Sequence, residues 1–206
     1  MRTPLTLLVV ALALQGCALL GKSQPVVARY FTPEYDGEAA AAPARPGLRL
    51  RLGQVEGSTH LRERVASRGA AREYFYYEVL RWTERPEVYL RRALARSLFE
   101  ERGVVEALSG RAASLDLELI AFEEVEPPRR ARLQVRLLLR DGRQGLLEET
   151  VTVEQPVAPS AGADRAPALI EALSLALRAG VGRIADRVVE RLAEPPAATA
   201  ARDGGP

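Results

Sequence analysis

Residues 72–99 read REYFYYEVLRWTERPEVYLRRALARSLF, and the spacing of their apolar side chains changes part-way along. From Arg72 to Leu80 the segment is aromatic and β-rich, which predicts a strand. Phe75, Tyr77 and Val79 share one face of it, and Tyr74, Tyr76 and Glu78 share the other. Beyond Trp82 the period lengthens. Pro86 suits the first helical position, where its missing N–H costs nothing, and Glu87 favours the positive end of the helix. Leu90, Leu94 and Leu98, with Val88 and Phe99, form the expected buried stripe, while Arg91, Arg92 and Arg96 face solvent. Gly103 stands where a glycine stops a helix.

Upstream, Val26–Phe31 predicts a first extended segment, and residues 32–46, with prolines, a glycine and an alanine run, predict a loop. Leu48-Arg49-Leu50-Arg51-Leu52 alternates strictly, so its leucines turn inward. Residues 61–68 fit either a short helix or an extended segment. Downstream, residues 115–125, 131–140 and 146–154 predict three consecutive antiparallel strands. Leu133, Val135, Leu137 and Leu139 lie on one face, and Asp141-Gly142 marks a turn slightly longer than the tightest hairpin. A long helix then runs from about Arg165 to Leu192. Asp164 is its N-cap, Pro167 lies in its first turn, and Ile170, Leu173, Leu177, Val181, Ile184 and Val188 form its stripe. Gly180 and Gly182 interrupt that stripe; they either weaken the helix or let another element approach closely. The order strands, helix, strands, helix predicts a single α/β domain, a mixed β-sheet covered by two main helices. Pro195-Pro196 ends the last helix, and residues 194–206 read as a disordered tail.

The chain has 206 residues, 27% of them charged, with a formal net charge of +2. Arginines alternate with glutamates along most elements, so no strongly basic face is expected and nucleic acid is not an expected partner. His60 is the only histidine. No histidine pair can hold zinc, a triad would have to be built around a loop residue, and a solvated loop histidine is the plain reading. Gly180-Val181-Gly182 lies in a helical pattern and is not a dinucleotide loop. The expectation is a chain with no metal, no cofactor and no catalytic constellation.

The N-terminus carries Arg2 and then the apolar stretch Leu5–Leu14, ten residues long, about half of what a spanning helix needs. Residues 1–16 therefore predict a secretory signal. Export to an oxidising compartment leaves Cys17, the one cysteine of the chain, without a partner within it. Leu14-Gln15-Gly16-Cys17 resembles the bacterial lipobox. That resemblance implies cleavage before Cys17 and acylation of its thiol and amino group, with residues 17–25 as a tether and 26–193 as the folded domain. Each buried CH₂ contributes about 0.8 kcal/mol, so several acyl chains make a lasting anchor. Cleavage after Ala13 by an ordinary signal peptidase, or retention of the segment as an uncleaved anchor, are the alternatives. Ala18, in place of aspartate, points to the outer membrane.

Tyr76-Tyr77-Glu78-Val79-Leu80-Arg81-Trp82-Thr83-Glu84-Arg85-Pro86, followed by the Leu90, Leu94, Leu98 helix, resembles the tyrosine-rich strand, W-x-E-x-P and helix of the ABC-type transport auxiliary lipoproteins. The paraquat-inducible PqiC/YmbA-type lipoproteins belong to that family. Arg29-Tyr30-Phe31 resembles its arginine–tyrosine–aromatic start, while Gly53–Arg68 departs from its pattern. The resemblance implies an α/β fold similar to the N-terminal domain of TolB. It also implies partners: an ABC transporter and a substrate-binding protein of the mammalian-cell-entry (MCE) type, which move lipids between envelope membranes. A lipid-carrying domain and a TolB-like envelope scaffold are the competing functions, and self-association is compatible with the ring shape of MCE assemblies. Tyr30, Tyr76, Tyr77, Trp82 and Pro86 are the candidate partner-contact or motif residues. Trp82 reads either as a core plug under the helix start or as a partner-facing anchor, since tryptophan suits both.

Overall fold

The structure, a computed structural model, describes residues 27–35, 42–160, 162 and 164–194. Cys17, the expected signal and tether, and the expected tail beyond Glu194 lie outside these residues. In chain order the strands are β1 (Arg29–Phe31), β2 (Arg45–Gly57), β3 (Arg64–Arg68) and β4 (Tyr74–Trp82). Helix α1 (Pro86–Ala95) follows, widening into a π-turn over Arg96–Glu100, and then β5 (Val104–Glu106). The chain continues through β6 (Ala113–Val125), β7 (Arg130–Asp141), β8 (Gln144–Pro156) and α2 (Ala166–Ala193).

β6 organises the mixed sheet. One of its edges carries β7, which in turn carries β8, the antiparallel meander expected from the alternation. The other edge is shared. β2 runs parallel to the first part of β6, from Leu50 opposite Ala113 to Gly57 opposite Leu119, and β3 runs parallel to its last three residues. The 61–68 ambiguity therefore resolves as a strand from Arg64 onward. β4 lies antiparallel on β3, β1 parallel on β4, and β5 parallel on β2.

The core lies between one face of this sheet and the two helices. Leu133, Val135, Leu137 and Leu139 are fully buried with Leu173, Leu177, Val181, Ile184 and Val188 of α2, which packs on β7 and β8. Burying each such side chain contributes about 1.5–3 kcal/mol. The N-cap position of α2 is Arg165, one residue later than expected; Asp164, just ahead of it, accepts the backbone N–H of Ala166 at 3.1 Å and receives Arg29 Nη1 at 3.0 Å, joining β1 to the helix start.

Several local expectations need correction. β2 begins at Arg45, inside the expected loop. Only Gly142 and Arg143 separate the paired Asp141 and Gln144, so the β7–β8 turn is a tight one. In α1, Leu90, Leu94 and Leu98 are buried, but Val88 is 36% exposed and Tyr89 and Ala93 take the inward positions. The π-turn adds a residue to one turn, with the N–H of Glu101 reaching Arg96 O, and leaves Phe99 only half-buried. Leu169 lies deeper than Ile170 at the start of α2. Gly103 does stop the helix, with φ of +67°, and the carbonyl of Pro43 fills the space a Cβ would need.

Candidate functional site

Two register shifts shape the end of the sheet around β3 and β4. In β6 the pairing slips between Leu119 and Ala121, so Phe122 opposite Leu133 faces the helices and Glu123 opposite Arg132 faces away from them. In β4 the pairing shifts as well: two steps along β3, from Arg64 to Ala66, match five steps along β4, from Arg81 to Tyr76. Leu80 and Trp82 thereby turn into the core, while Tyr74 and Tyr76 stay on the open face. Alternation alone carries the faces only as far as Tyr77, because a bulge reverses every side chain beyond it.

Two glutamates next to each other in β6, Glu123 and Glu124, are both fully buried. On the open face Glu123 pairs with Arg132 at 2.5 Å and Arg68 at 3.1 Å. On the helix side Glu124 pairs with Arg129 at 2.6 Å and accepts the hydroxyl of Tyr77. Burial, followed by that hydrogen bond, pushes the Tyr77 hydroxyl above the usual tyrosine range. A buried carboxylate is tolerated only when paired, which is why arginines flank both. The signal in the sequence is a Glu-Glu step in an apolar strand, with arginines at 129 and 132 on the return.

Above Glu123 the open face carries a cluster. The Arg68 guanidinium lies 4.6 Å from the Tyr74 ring centroid, and His60 packs on the same ring at 4.8 Å. Tyr76 donates to His60 O at 3.2 Å, fastening the 58–63 loop to β4. His60 is thus a packed residue, not a solvated one. Desolvation holds its imidazole below the usual histidine range although Glu123 pulls the other way. Beside it opens a cleft of about 630 Å³ lined by Thr59, His60, Arg62, Glu63, Arg64, Tyr76, Arg81 and Arg85.

The candidate residues divide by burial. Trp82 is 1% exposed, with its ring 5.2 Å from Phe122 and 6.2 Å from Tyr89. It plugs the core beneath the start of α1. Pro86 is buried beside it and Tyr77 is tied to Glu124, so none of the three offers its side chain to a partner without opening the fold. Tyr30 on edge strand β1 is 64% exposed and Tyr76 is 39% exposed. Arg91 donates to Gly53 O at 2.8 Å, Arg92 pairs with Glu84 at 2.8 Å, and Arg96 pairs with Glu101 at 3.5 Å. Arg91 and Arg92 face solvent as expected and Arg96 is half-buried, and each also makes a contact within the chain.

The model of the family described as ABC-type transport auxiliary lipoprotein component matches residues 33–185. The chain belongs to that family. Its place is accordingly with the lipoproteins of the cell envelope, as an auxiliary component of ABC-type transport. The fold is similar to the crystal structure of protein XCC0632 from Xanthomonas campestris, at 17% identity and a TM-score of 0.67, covering 79% of this chain and 96% of that one. It is also similar to the hypothetical protein CT253 from Chlamydia trachomatis, at 11% identity and a TM-score of 0.53, covering 74% and 99%. These identities speak for a shared α/β architecture alone. No relative among curated proteins matches the sequence. Among the described residues of this auxiliary lipoprotein, no helix is long and apolar enough to cross a membrane, and no group of acidic, histidine or cysteine side chains is arranged to hold a metal.

Proposed function

We propose that this chain is a non-enzymatic tether of an ABC/MCE-type lipid transport system, anchored through Cys17 at the periplasmic face of the outer membrane. The observation that supports this is one chain holding Leu14-Gln15-Gly16-Cys17 ahead of a domain matched over residues 33–185 by an auxiliary transport lipoprotein family. Residues 17–25 reach about 30 Å when extended, so the domain works close to the bilayer that holds its lipid. Its part is mechanical: the acyl chains fix one end, and the folded domain docks the MCE assembly. Tyr30 and Tyr76 are the motif residues whose rings are exposed, and Phe75 and Tyr74 expose theirs beside Tyr76; these suit that contact, because large rings contribute most of the energy of a docked surface. Self-association of the domain around an MCE ring is compatible with this role.

Affinity capture of the tagged chain from native membranes tests the proposal. Recovery of MCE and ABC subunits is the expected result; their absence, with the bait intact, removes the partner. The lipid-carrier reading gains nothing from the packing. The leucines that would line a groove are buried against one another, and the cleft beside His60 is lined by four arginines. An envelope-scaffold role would be marked by recovery of peptidoglycan-associated proteins instead.

A further inference from the structure

Arg64 of β3 stands directly opposite Arg81 of β4 in an antiparallel pair, and both line the same cleft. Like charges placed opposite each other across two strands repel, and the chain supplies little to neutralise them. The guanidinium of Arg64 makes no hydrogen bond or ion pair among the described residues. Arg81 Nη1 reaches only the carbonyl of Tyr77, at 3.3 Å. Arg62 uses its Nε on Thr59 O at 3.2 Å, and Arg85 uses its Nε on Glu87 at 3.2 Å, so both keep terminal nitrogens to offer. Glu63 is the one carboxylate lining the cleft. The nearby Glu123 is already held by Arg68 and Arg132.

We propose that this cleft, built on the Arg64–Arg81 pair, binds a phosphate group carried on a small organic molecule. Guanidinium forks match phosphate oxygens two at a time, and several converging on one point suit a multiply charged anion. The volume of about 630 Å³ is that of a small-molecule site and far exceeds what a bare ion fills. The Tyr76 and His60 rings give the organic part a flat wall to pack on. Such a ligand would replace the repulsion across the strand pair with two attractive contacts. The inference stands on strand register and cleft lining, and it does not rest on the tethering role.

A phosphate of this kind comes from a soluble metabolite or from a lipid headgroup. Isothermal titration of the full-length chain in non-ionic detergent separates them, using inorganic phosphate, glycerol 3-phosphate, dihexanoyl phosphatidic acid and dihexanoyl phosphatidylcholine. Saturable binding of at least one probe is expected, weakened about tenfold or more in Arg64→Gln, with the thermal midpoint of the variant unchanged or raised. Tighter binding of the phosphatidic acid than of glycerol 3-phosphate assigns a headgroup; equal binding assigns a soluble ligand. Arg85→Gln, at an exposed position ahead of α1, gives the same comparison if Arg64→Gln lowers the midpoint. No saturable binding of any probe, or unchanged affinity in a folded variant, overturns the proposal.

Discussion

Tyr77 on β4 donates its hydroxyl to the buried carboxylate of Glu124 on β6, bridging β3, which lies between those two strands. Arg129, at 2.6 Å, supplies the opposing charge. The peripheral strands β4 and β1 are thereby fastened to the centre of the sheet by more than the short β3 ladder.

Replacing Tyr77 with phenylalanine keeps the ring but strands one side of Glu124. Hydrogen bonds to charged groups contribute about 1.5–3 kcal/mol, and that loss should be measured in urea unfolding, with little change in slope. A loss under about 0.5 kcal/mol would mean that water replaces the hydroxyl freely.

The same contact has a pH signature. The Tyr77 hydroxyl titrates above its ordinary value of 10.0, so its contribution is complete below pH 10 and is lost as pH rises through the folded-state value. Absorbance titration should show Tyr77 ionising above the ordinary tyrosine range, as Tyr35 also does, and stability should fall above pH 10. Tyr77→Phe should flatten that fall; an unchanged pH profile would point to other groups.

The two glycines of α2 should respond in opposite directions. A Cβ on Gly180 would overlap Leu133 Cδ2, the tip of a fully buried side chain that would have to shift, whereas a Cβ on Gly182 meets nothing within 4 Å. Gly180→Ala is expected to cost about 1–3 kcal/mol by overpacking. Gly182→Ala should add up to about 1 kcal/mol of helix stability, raising the thermal midpoint by about 2–4 °C. Equal effects would show that α2 does not rest on β7 at Gly180.

Trp82 and Tyr76 separate packing from recognition. Trp82→Ala should destabilise the domain by about 3–5 kcal/mol through an unfilled cavity. Tyr76→Ala, at a half-exposed position, should change stability by about 1 kcal/mol or less. If partners are retained in capture experiments by Tyr76→Ala and Tyr30→Ala together, those two rings are not the docking contact.

Intact mass of the membrane-extracted chain tests the anchor. Cleavage before Cys17 and the added mass of acyl chains are expected, and Cys17→Ala should leave an unlipidated precursor or soluble form. A wild-type chain with a free thiol and no added mass would sink the lipid anchor.

Most of the helices and the meander could be read from periodicity. Ala131–Arg140 alternates because one face of β7 is buried and the other is not. The Leu90, Leu94, Leu98 spacing marks the side of α1 that meets the core. β3 was ambiguous because five residues are too few to establish a period, and Val88 looked inward only until the helix phase was known.

The sequence alone determined the two helices, the β6–β8 meander, the α/β class and Gly103 as the stop of α1, because these follow from side-chain spacing and local backbone limits. Only the tertiary structure decided which side chains meet. It placed β2 and β3 along one edge of β6, turned Trp82 inward through the bulge in β4, buried Glu123 and Glu124 among arginines, and set Arg64 against Arg81. Those outcomes depend on strand register between distant segments, and a slip of one residue reverses every face that a local pattern assigns.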